Sequence, residues 1–328
     1  MRSMSTADNS PQKPQSNLGK RLLTRLDAIL AIGIFVIAVS FAATSIMKRT
    51  GNPDTITMSG SQIRQMLKKD TDRIDLFVKS IQKIPREVAT ILELQRLRTE
   101  EIKIVLEAIM LNNSEIFGTS VAFAPGLSWE KSLSWPLYAC KKDGKIRFSA
   151  LDQPGYDYFN KDWYLLPKIL NRPVWVDPYF DEGGGDVFMT TYAVPFSFFD
   201  GVADTFTGVV TVDVSIDWLT RFFNTEKKLP NNGFVMLLSE DGTVISAPRE
   251  EWEVNHTLFS LAVFLKLPEL RRVGRDLQKG KSGTAKVISP ATGETVKIFY
   301  AAVPSNHWGI LYIIPEKKQN SLPGNKGG

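Results

Sequence analysis

The chain has a single cysteine, Cys140, and two histidines, His256 and His307, in 328 residues. A lone thiol excludes an intramolecular disulfide, and with it the disulfide-stapled class of small secreted domain. The two histidines lie in no metal-ligand spacing, which excludes a histidine-rich centre and leaves an all-oxygen site open. An excess of charge is missing from the body as well. The formal net charge is +5, yet residues 1–49 alone hold seven Lys/Arg against two Asp, so the rest carries 33 basic and 33 acidic side chains. A nucleic-acid partner requires a positive face that releases counterions, and a neutral body gives no support for one. Beyond residue 47 there is no second long apolar run either; LFSLAVFLKL at 258–267 is short and broken by Lys266.

What is present begins with the one long apolar stretch. Residues 28–47, AILAIGIFVIAVSFAATSIM, contain no charged side chain. As a helix they span roughly 30 Å, the thickness of a bilayer core. Lys20, Arg21 and Arg25 before it favour a cytoplasmic N-terminus and an outward-facing body, although Lys48 and Arg49 reduce the asymmetry. Ser40-Phe41-Ala42 resembles a cleavage site, so a removed signal peptide is the alternative. Twenty apolar residues exceed the roughly 7–15 of such segments, which favours a retained anchor. A buried core helix is the third reading, and the polar leader rich in Ser, Pro and Gln speaks against it. Localisation is therefore expected at the inner membrane, single-pass, with the body in the periplasm or outside.

The remainder divides by periodicity. Ile63, Met66, Leu67, Ile74, Phe77, Val78 and Ile81 recur at helical spacing, with Ser59 as the N-cap and Pro85 as a stop or kink. A second helix is expected around 86–95 and a third from Thr99, with Glu100 and Glu101 in its first turn. From Ile116 the pattern changes to strands: IFGTSVAFAP, a hairpin LYACKKDGKIRFSAL turning at Lys142-Asp143-Gly144, a short helix near 161–171, then VWVDPYF, DVFMTTYAVPF and FTGVVTVDVS. Gly183-Gly184-Gly185 is a loop, not a phosphate loop, because no Lys-Ser/Thr pair or helix follows. Another sheet starts near Pro230 with a hairpin at Glu240-Asp241-Gly242, a helical insert at 257–278 and strands over 282–303 and 308–315.

The fold class is thus α+β: a transmembrane helix, a long helix and two antiparallel-sheet subdomains. The expected boundaries are a cytoplasmic leader at 1–27, the anchor at 28–47, a helical stalk at 58–112, subdomains at 113–229 and 230–315, and a polar, disordered tail at 316–328.

With these elements in place, residues 58–315 resemble a double Cache (PAS-like) extracytoplasmic sensor region. The resemblance rests on Trp163-Tyr164, on Trp175-x2-Pro178-Tyr179-x-Asp181, and on Gly208-Val209-Val210-Thr211-Val212-Asp213 closing the first subdomain. The Asp-Gly hairpin and Trp308-Gly309-Ile310-Leu311 of the second also fit. PYFDEGGG is most similar to sensor regions of bacterial membrane-bound regulatory serine/threonine phosphatases and sensor kinases. In the amino-acid-binding branch of the family the motif runs Tyr-x4-Arg-x-Trp-Tyr, then Tyr-x-Asp, then Asp at the end of a later strand. Here Tyr156, Lys161, Trp163, Tyr164, Tyr179, Asp181 and Asp213 stand in that order. The departure is Lys161: arginine grips a carboxylate through a planar fork, whereas lysine is a mobile point charge. The resemblance implies a membrane-distal pocket at 113–229 for a small amine-bearing ligand, an amino acid or amine, with no cofactor.

The residues support that chemistry directly. Side chains two apart on a strand share a face, so Tyr179 pairs with Asp181 and Thr211 with Asp213. Carboxylates and aromatic rings on one cavity suit an ammonium group. Each residue also has a plainer use. Trp163, Tyr164 and Trp175 serve as core aromatics, Asp181 as the cap of the glycine turn, Asp213 as the cap of a helix at Ile216, and Lys161 as a solvated helix residue. Neither histidine sits in a nucleophile or base motif, so no enzyme is expected. The alternative function is a Cache-fold partner-binding or structural membrane protein without a small ligand. Other expected partners are the membrane, a separate signalling protein, and a second copy if the long helix serves as a dimer seam as well as packing on its own sheets.

Overall fold

In the computed structural model the described residues are 58–131, 136–151, 154–199, 204–224, 229–290 and 293–316. The expected leader and anchor lie outside them, as does the tail beyond Glu316. No helix among the described residues is long and apolar enough to cross a membrane.

The long helix α1 spans Gly60–Leu94. It starts in a capping box: Ser59 Oγ accepts from the Gln62 N–H and Gln62 Oε1 accepts from the Ser59 N–H. The expected stop at Pro85 does not occur, and there is no separate helix over 86–95. The proline lies inside one 35-residue helix. Its missing N–H costs one intrahelical bond, but Ile81, Pro85, Val88, Ala89 and Leu92 continue the buried stripe of Ile63, Leu67, Ile74 and Val78. Burial on both sides of the proline outweighs the lost bond. A second helix, α2 (Thr99–Asn112), follows with Ile102, Leu106 and Met110 buried.

Strands β1 (Gly118–Phe123), β2 (Leu137–Lys142), β3 (Lys145–Ser149), β4 (Val174–Phe180), β5 (Phe188–Phe199) and β6 (Asp204–Ser215) form one sheet in the order β3-β2-β1-β6-β5-β4, with every neighbouring pair antiparallel. The β2–β3 turn is tighter than expected. Lys142 pairs with Lys145, leaving Asp143 and Gly144 at φ 53° and 69°, the signature of a two-residue turn with both central residues left-handed. Helix α3 (Asp162–Leu170) lies between β3 and β4 in sequence, and α4 (Ile216–Asn224) leaves β6.

The second sheet contains β7 (Phe234–Leu238), β8 (Val244–Ser246), β9 (Gly283–Ile288), β10 (Thr295–Ala302) and β11 (Gly309–Pro315), in the order β8-β7-β11-β10-β9. Helices α5 (Leu258–Phe264) and α6 (Glu269–Gln278) form the insert. Helix α1 packs against β5 and β6 of the first sheet and β10 and β11 of the second. The α+β architecture of a long helix and two antiparallel sheets is as expected.

Polar ties fasten α1 to the second sheet. Tyr312 donates its hydroxyl proton to Asp70, and Asp75 accepts from the Ser305 N–H at 2.8 Å and the Ser305 hydroxyl at 2.6 Å. Burial pushes the Asp75 carboxyl up, but hydrogen bonds from Lys79 and Ser305 outweigh it and hold the group below its usual 3.8. Because the folded value is depressed, the stabilisation is complete above the unfolded value and is lost as pH falls through the folded one. Asp75→Ala is therefore expected to cost about 2 kcal/mol at neutral pH, the scale of charge-assisted hydrogen bonds. Urea titrations should show that deficit shrinking below about pH 4; an equal deficit at every pH contradicts the assignment.

Candidate functional site

The site follows from the alternation of side chains on β6, a strand buried on both faces from Gly208 to Val214. Val210, Val212 and Val214 join the core shared with α1, while Val209, Thr211 and Asp213 face the other way. Neighbouring strands alternate in step. Ser120 of β1 and Tyr138 of β2 look toward the same space as Thr211, whereas Val121 and Ala139 look toward α1. Across that space lie Leu151, Tyr156 and Trp163 from the β3–α3 segment, and Tyr179 and Asp181 from the end of β4. These side chains line one small cavity.

Tyr179 reaches the cavity through a β-bulge. Pairing of β4 with β5 shifts register between Val176 and Tyr179. Before the bulge Trp175 packs on Tyr192 and Trp308, with ring centroids 5.1 Å apart in both pairs, and Asp177 accepts from the Thr243 hydroxyl at 2.9 Å. After it, Tyr179 and Asp181 face the cavity. Without the extra residue all four odd positions would share one face.

Both carboxylates are buried, each with its residue 4% exposed. Asp181 Oδ1 accepts from the Tyr156 hydroxyl at 2.9 Å, and Oδ2 accepts from the Gly185 N–H at 2.8 Å. Asp181 thus caps the glycine turn and lines the cavity at once. The turn fits only because residue 184 has no side chain: a Cβ there would stand 2.1 Å from Asp181 Oδ2. Burial raises the Asp181 pKa, against the Gly185 N–H, the Tyr156 hydroxyl and the positive charge of Lys161.

Asp213 Oδ1 accepts from the Thr191 hydroxyl at 2.8 Å, and Thr191 and Tyr179 hydroxyls lie 2.9 Å apart. Burial, then the negative charge of Asp181, pushes the Asp213 pKa up to about 7; Thr191 and Tyr138 pull it partly back. The helix-capping use of Asp213 is not realised, because α4 is capped by Ser215, whose Oγ accepts from the Trp218 N–H.

Five of the seven sequence-chosen residues therefore line one cavity: Tyr156, Trp163, Tyr179, Asp181 and Asp213. Lys161 sits beside it with its Nζ 4.8 Å from the centroid of the Tyr156 ring. Tyr164 is away from the lining and fully buried, edge-on to Tyr158, Phe159, Trp163 and Phe206. Sequence reasoning missed Ser120, Tyr138 and Leu151 in the lining and Thr191 behind Asp213. A usable signal existed for Ser120 and Thr191, small hydroxyl residues within largely apolar strands. Together the groups form a small, desolvated, anionic cavity walled by aromatic rings, chemistry that attracts a cation and holds it by hydrogen bonds.

Comparison with known proteins places the fold among sensor domains. Residues 102–221 match the family model described as the methyl-accepting chemotaxis protein-like first PDC sensor domain. Among solved structures, the chain is similar to the extracellular domain of mmHK1S-Z3, a protein described as a candidate histidine kinase (26% identity, 78% of this chain and 94% of that one, TM-score 0.67). It is also similar to the ligand-binding domain of the Pseudomonas aeruginosa PAO1 amino acid chemoreceptor PctB in complex with L-Arg (17% identity, 80% and 97%, TM-score 0.55). A third likeness is to the domain of the PAO1 amino acid chemoreceptor PctC in complex with GABA (17% identity, 77% and 97%, TM-score 0.52). No curated protein matches the chain. The family match over 102–221 and these likenesses support a Cache/PDC-type sensor fold.

A raised carboxyl pKa has a measurable consequence. Between about pH 4 and 7 the unfolded chain has released the Asp213 proton while the folded protein retains it, so stability falls as pH rises through that window. An asparagine side chain in its place would carry no such penalty and still accept from Thr191. Asp213→Asn is expected to be more stable than the wild type by roughly a few kcal/mol near pH 8 and to lose that advantage near pH 4. Chemical denaturation at the two pH values checks this, and a variant less stable at the higher pH refutes it.

Proposed function

We propose that this chain is a membrane-anchored extracytoplasmic sensor whose first-sheet cavity binds a small amine-bearing metabolite, an amine or an amino acid. The observation that carries the reading is the pair of buried carboxyls, Asp181 and Asp213, on one cavity with Tyr156, Trp163 and Tyr179. Buried carboxylates without a cationic partner are costly, and an ammonium group supplies that partner along with hydrogen bonds and cation–π contact. The bound molecules named for PctB and PctC, L-Arg and GABA, both carry an amine. Cavity size favours a small ligand or a small ligand head.

Lys161 bears on the other half of an amino acid. Its ammonium lies over Tyr156 at the margin, where a ligand carboxylate projecting from the cavity would meet it. The reading is of binding, not catalysis. In it, residues 113–229 form the membrane-distal ligand-bearing unit and 230–315 the membrane-proximal unit, with 28–47 as the anchor. The signal passes to a kinase or phosphatase type of output, which the resemblance to regulatory phosphatases and sensor kinases favours.

The test is a thermal-shift screen of the full chain against amino acids and amines, with calorimetry on hits. An amine-bearing ligand at a hundred times its Kd should stabilise by about 2.7 kcal/mol, and Asp213→Ala should abolish the response. Binding should also tighten as pH rises through about 7, because the cation requires Asp213 ionised. Hits confined to carboxylates without amines, or indifferent to Asp213→Ala, would overturn the proposal. Orientation has its own check: alkaline phosphatase fused after Glu316 should be active in an enteric host, and an inactive fusion contradicts an outward body.

A further inference from the structure

The cavity contains a polar group for which neither the motif nor the hydrogen-bond network accounts. Tyr138 is 3% exposed, and its hydroxyl is buried without a hydrogen-bond partner. It lies beside the Asp213 carboxyl, close enough to help hold that group's pKa down without meeting hydrogen-bond geometry. The other hydroxyls of the lining are engaged: Ser120 with Thr211, Tyr179 with Thr191, and Tyr156 with Asp181. A buried, unsatisfied hydroxyl costs about 1–3 kcal/mol, so one kept on a cavity wall calls for a reason.

The backbone around it is cut away to admit it. A Cβ on Gly118 would stand 2.4 Å from the Tyr138 oxygen and 2.7 Å from Asp213 Oδ2. A Cβ on Gly185 would stand 3.1 Å from the same phenol oxygen, and the Gly185 N–H is the donor to Asp181. Two glycines thus open one small space onto which three oxygen-bearing groups converge: Asp181, Asp213 and Tyr138.

Resting on the amine reading above, we infer that Tyr138 is a specificity-determining ligand contact whose oxygen completes a three-acceptor cradle for a primary ammonium group. A primary ammonium has three N–H donors to satisfy and the cradle offers three acceptors. Each N-methylation removes a donor, adds bulk against Gly118 and Gly185, and leaves one oxygen without a partner. Burial and the nearby charges of Asp213 and Asp181 keep the Tyr138 phenol protonated, so it remains a neutral acceptor that adds no third charge. The aromatic walls alone would predict the reverse order, since rings without matched acceptors suit quaternary ammonium ions.

The experiment is calorimetry on the full chain with propylamine, N-methylpropylamine and N,N,N-trimethylpropylammonium, repeated with Tyr138→Phe. The wild type should prefer the primary amine over the quaternary ion by at least tenfold. Tyr138→Phe should weaken propylamine at least tenfold and flatten the series while still folding, as a cooperative melting transition without ligand would show. A wild type preferring the quaternary ion overturns the cradle with no variant needed. Unchanged propylamine affinity in Tyr138→Phe removes Tyr138 from the site while leaving the amine reading standing. Absence of propylamine binding overturns the cradle, and if the wider amine screen is also blank, the amine reading falls with it.

Discussion

From Gly208 to Val214, strand β6 is apolar on one face and carries Thr211 and Asp213 on the other, with both faces shut off from water. Its even side chains close the core with α1; its odd side chains place Thr211 and Asp213 in the cavity. A carboxyl held there cannot be solvated, and the structure answers with a donor from Thr191, a neighbour in Tyr138 and a pKa near 7. The strain is not relieved by an internal cation. Lys161, the basic side chain whose charge is felt at Asp181, stacks on the outer ring of Tyr156 instead of reaching Asp213. The site is thus built with a deficit of positive charge, and everything argued about its ligand follows from that deficit.

The same constraint explains the glycine loop. Asp181 needs donors because it is buried, and the segment after β4 supplies a backbone N–H from Gly185 by curling back over the carboxylate. Only residues without side chains at 184 and 185 permit that approach. Capping the turn and lining the cavity are therefore one arrangement, since the hydrogen bond that holds the loop also fixes the carboxylate that faces the ligand space. The alternatives weighed for Asp181 from sequence were not exclusive.

Much of this was legible in sequence, and the failures have identifiable causes. Helical and two-residue periodicities located the helices and both sheets because each element buries one stripe or one face. Pro85 was misread as a stop because local propensity opposes an internal proline, and the tertiary burial that overrides it, Ile81 and Val88 against the same core, is invisible in a local window. The cavity residues on β4 and β6 were found through a family motif. Tyr138 was not, since a tyrosine in a strand reads as a core aromatic; only the two glycines that make room for its hydroxyl, distant in sequence, mark it out. Tyr164 shows the converse, a motif residue whose ring packs wholly among other rings.

The bulge in β4 ties these observations to the rest of the molecule. Its extra residue lets one strand face two ways within seven positions: Trp175 and Asp177 toward Trp308 and Thr243 of the second-sheet region, Tyr179 and Asp181 toward the cavity. A regular strand would have had to choose between them. Helix α1 spans the same two regions on the opposite side, holding Tyr192 of β5 through Arg86 and the second sheet through Asp70 and Asp75. The cavity therefore lies between two connections to the second sheet that differ in kind. One is a long helix buried along a continuous apolar stripe. The other runs through β4, where Trp175 meets Trp308 and Asp177 accepts from Thr243, and the same strand leads into Tyr179 and Asp181 of the cavity.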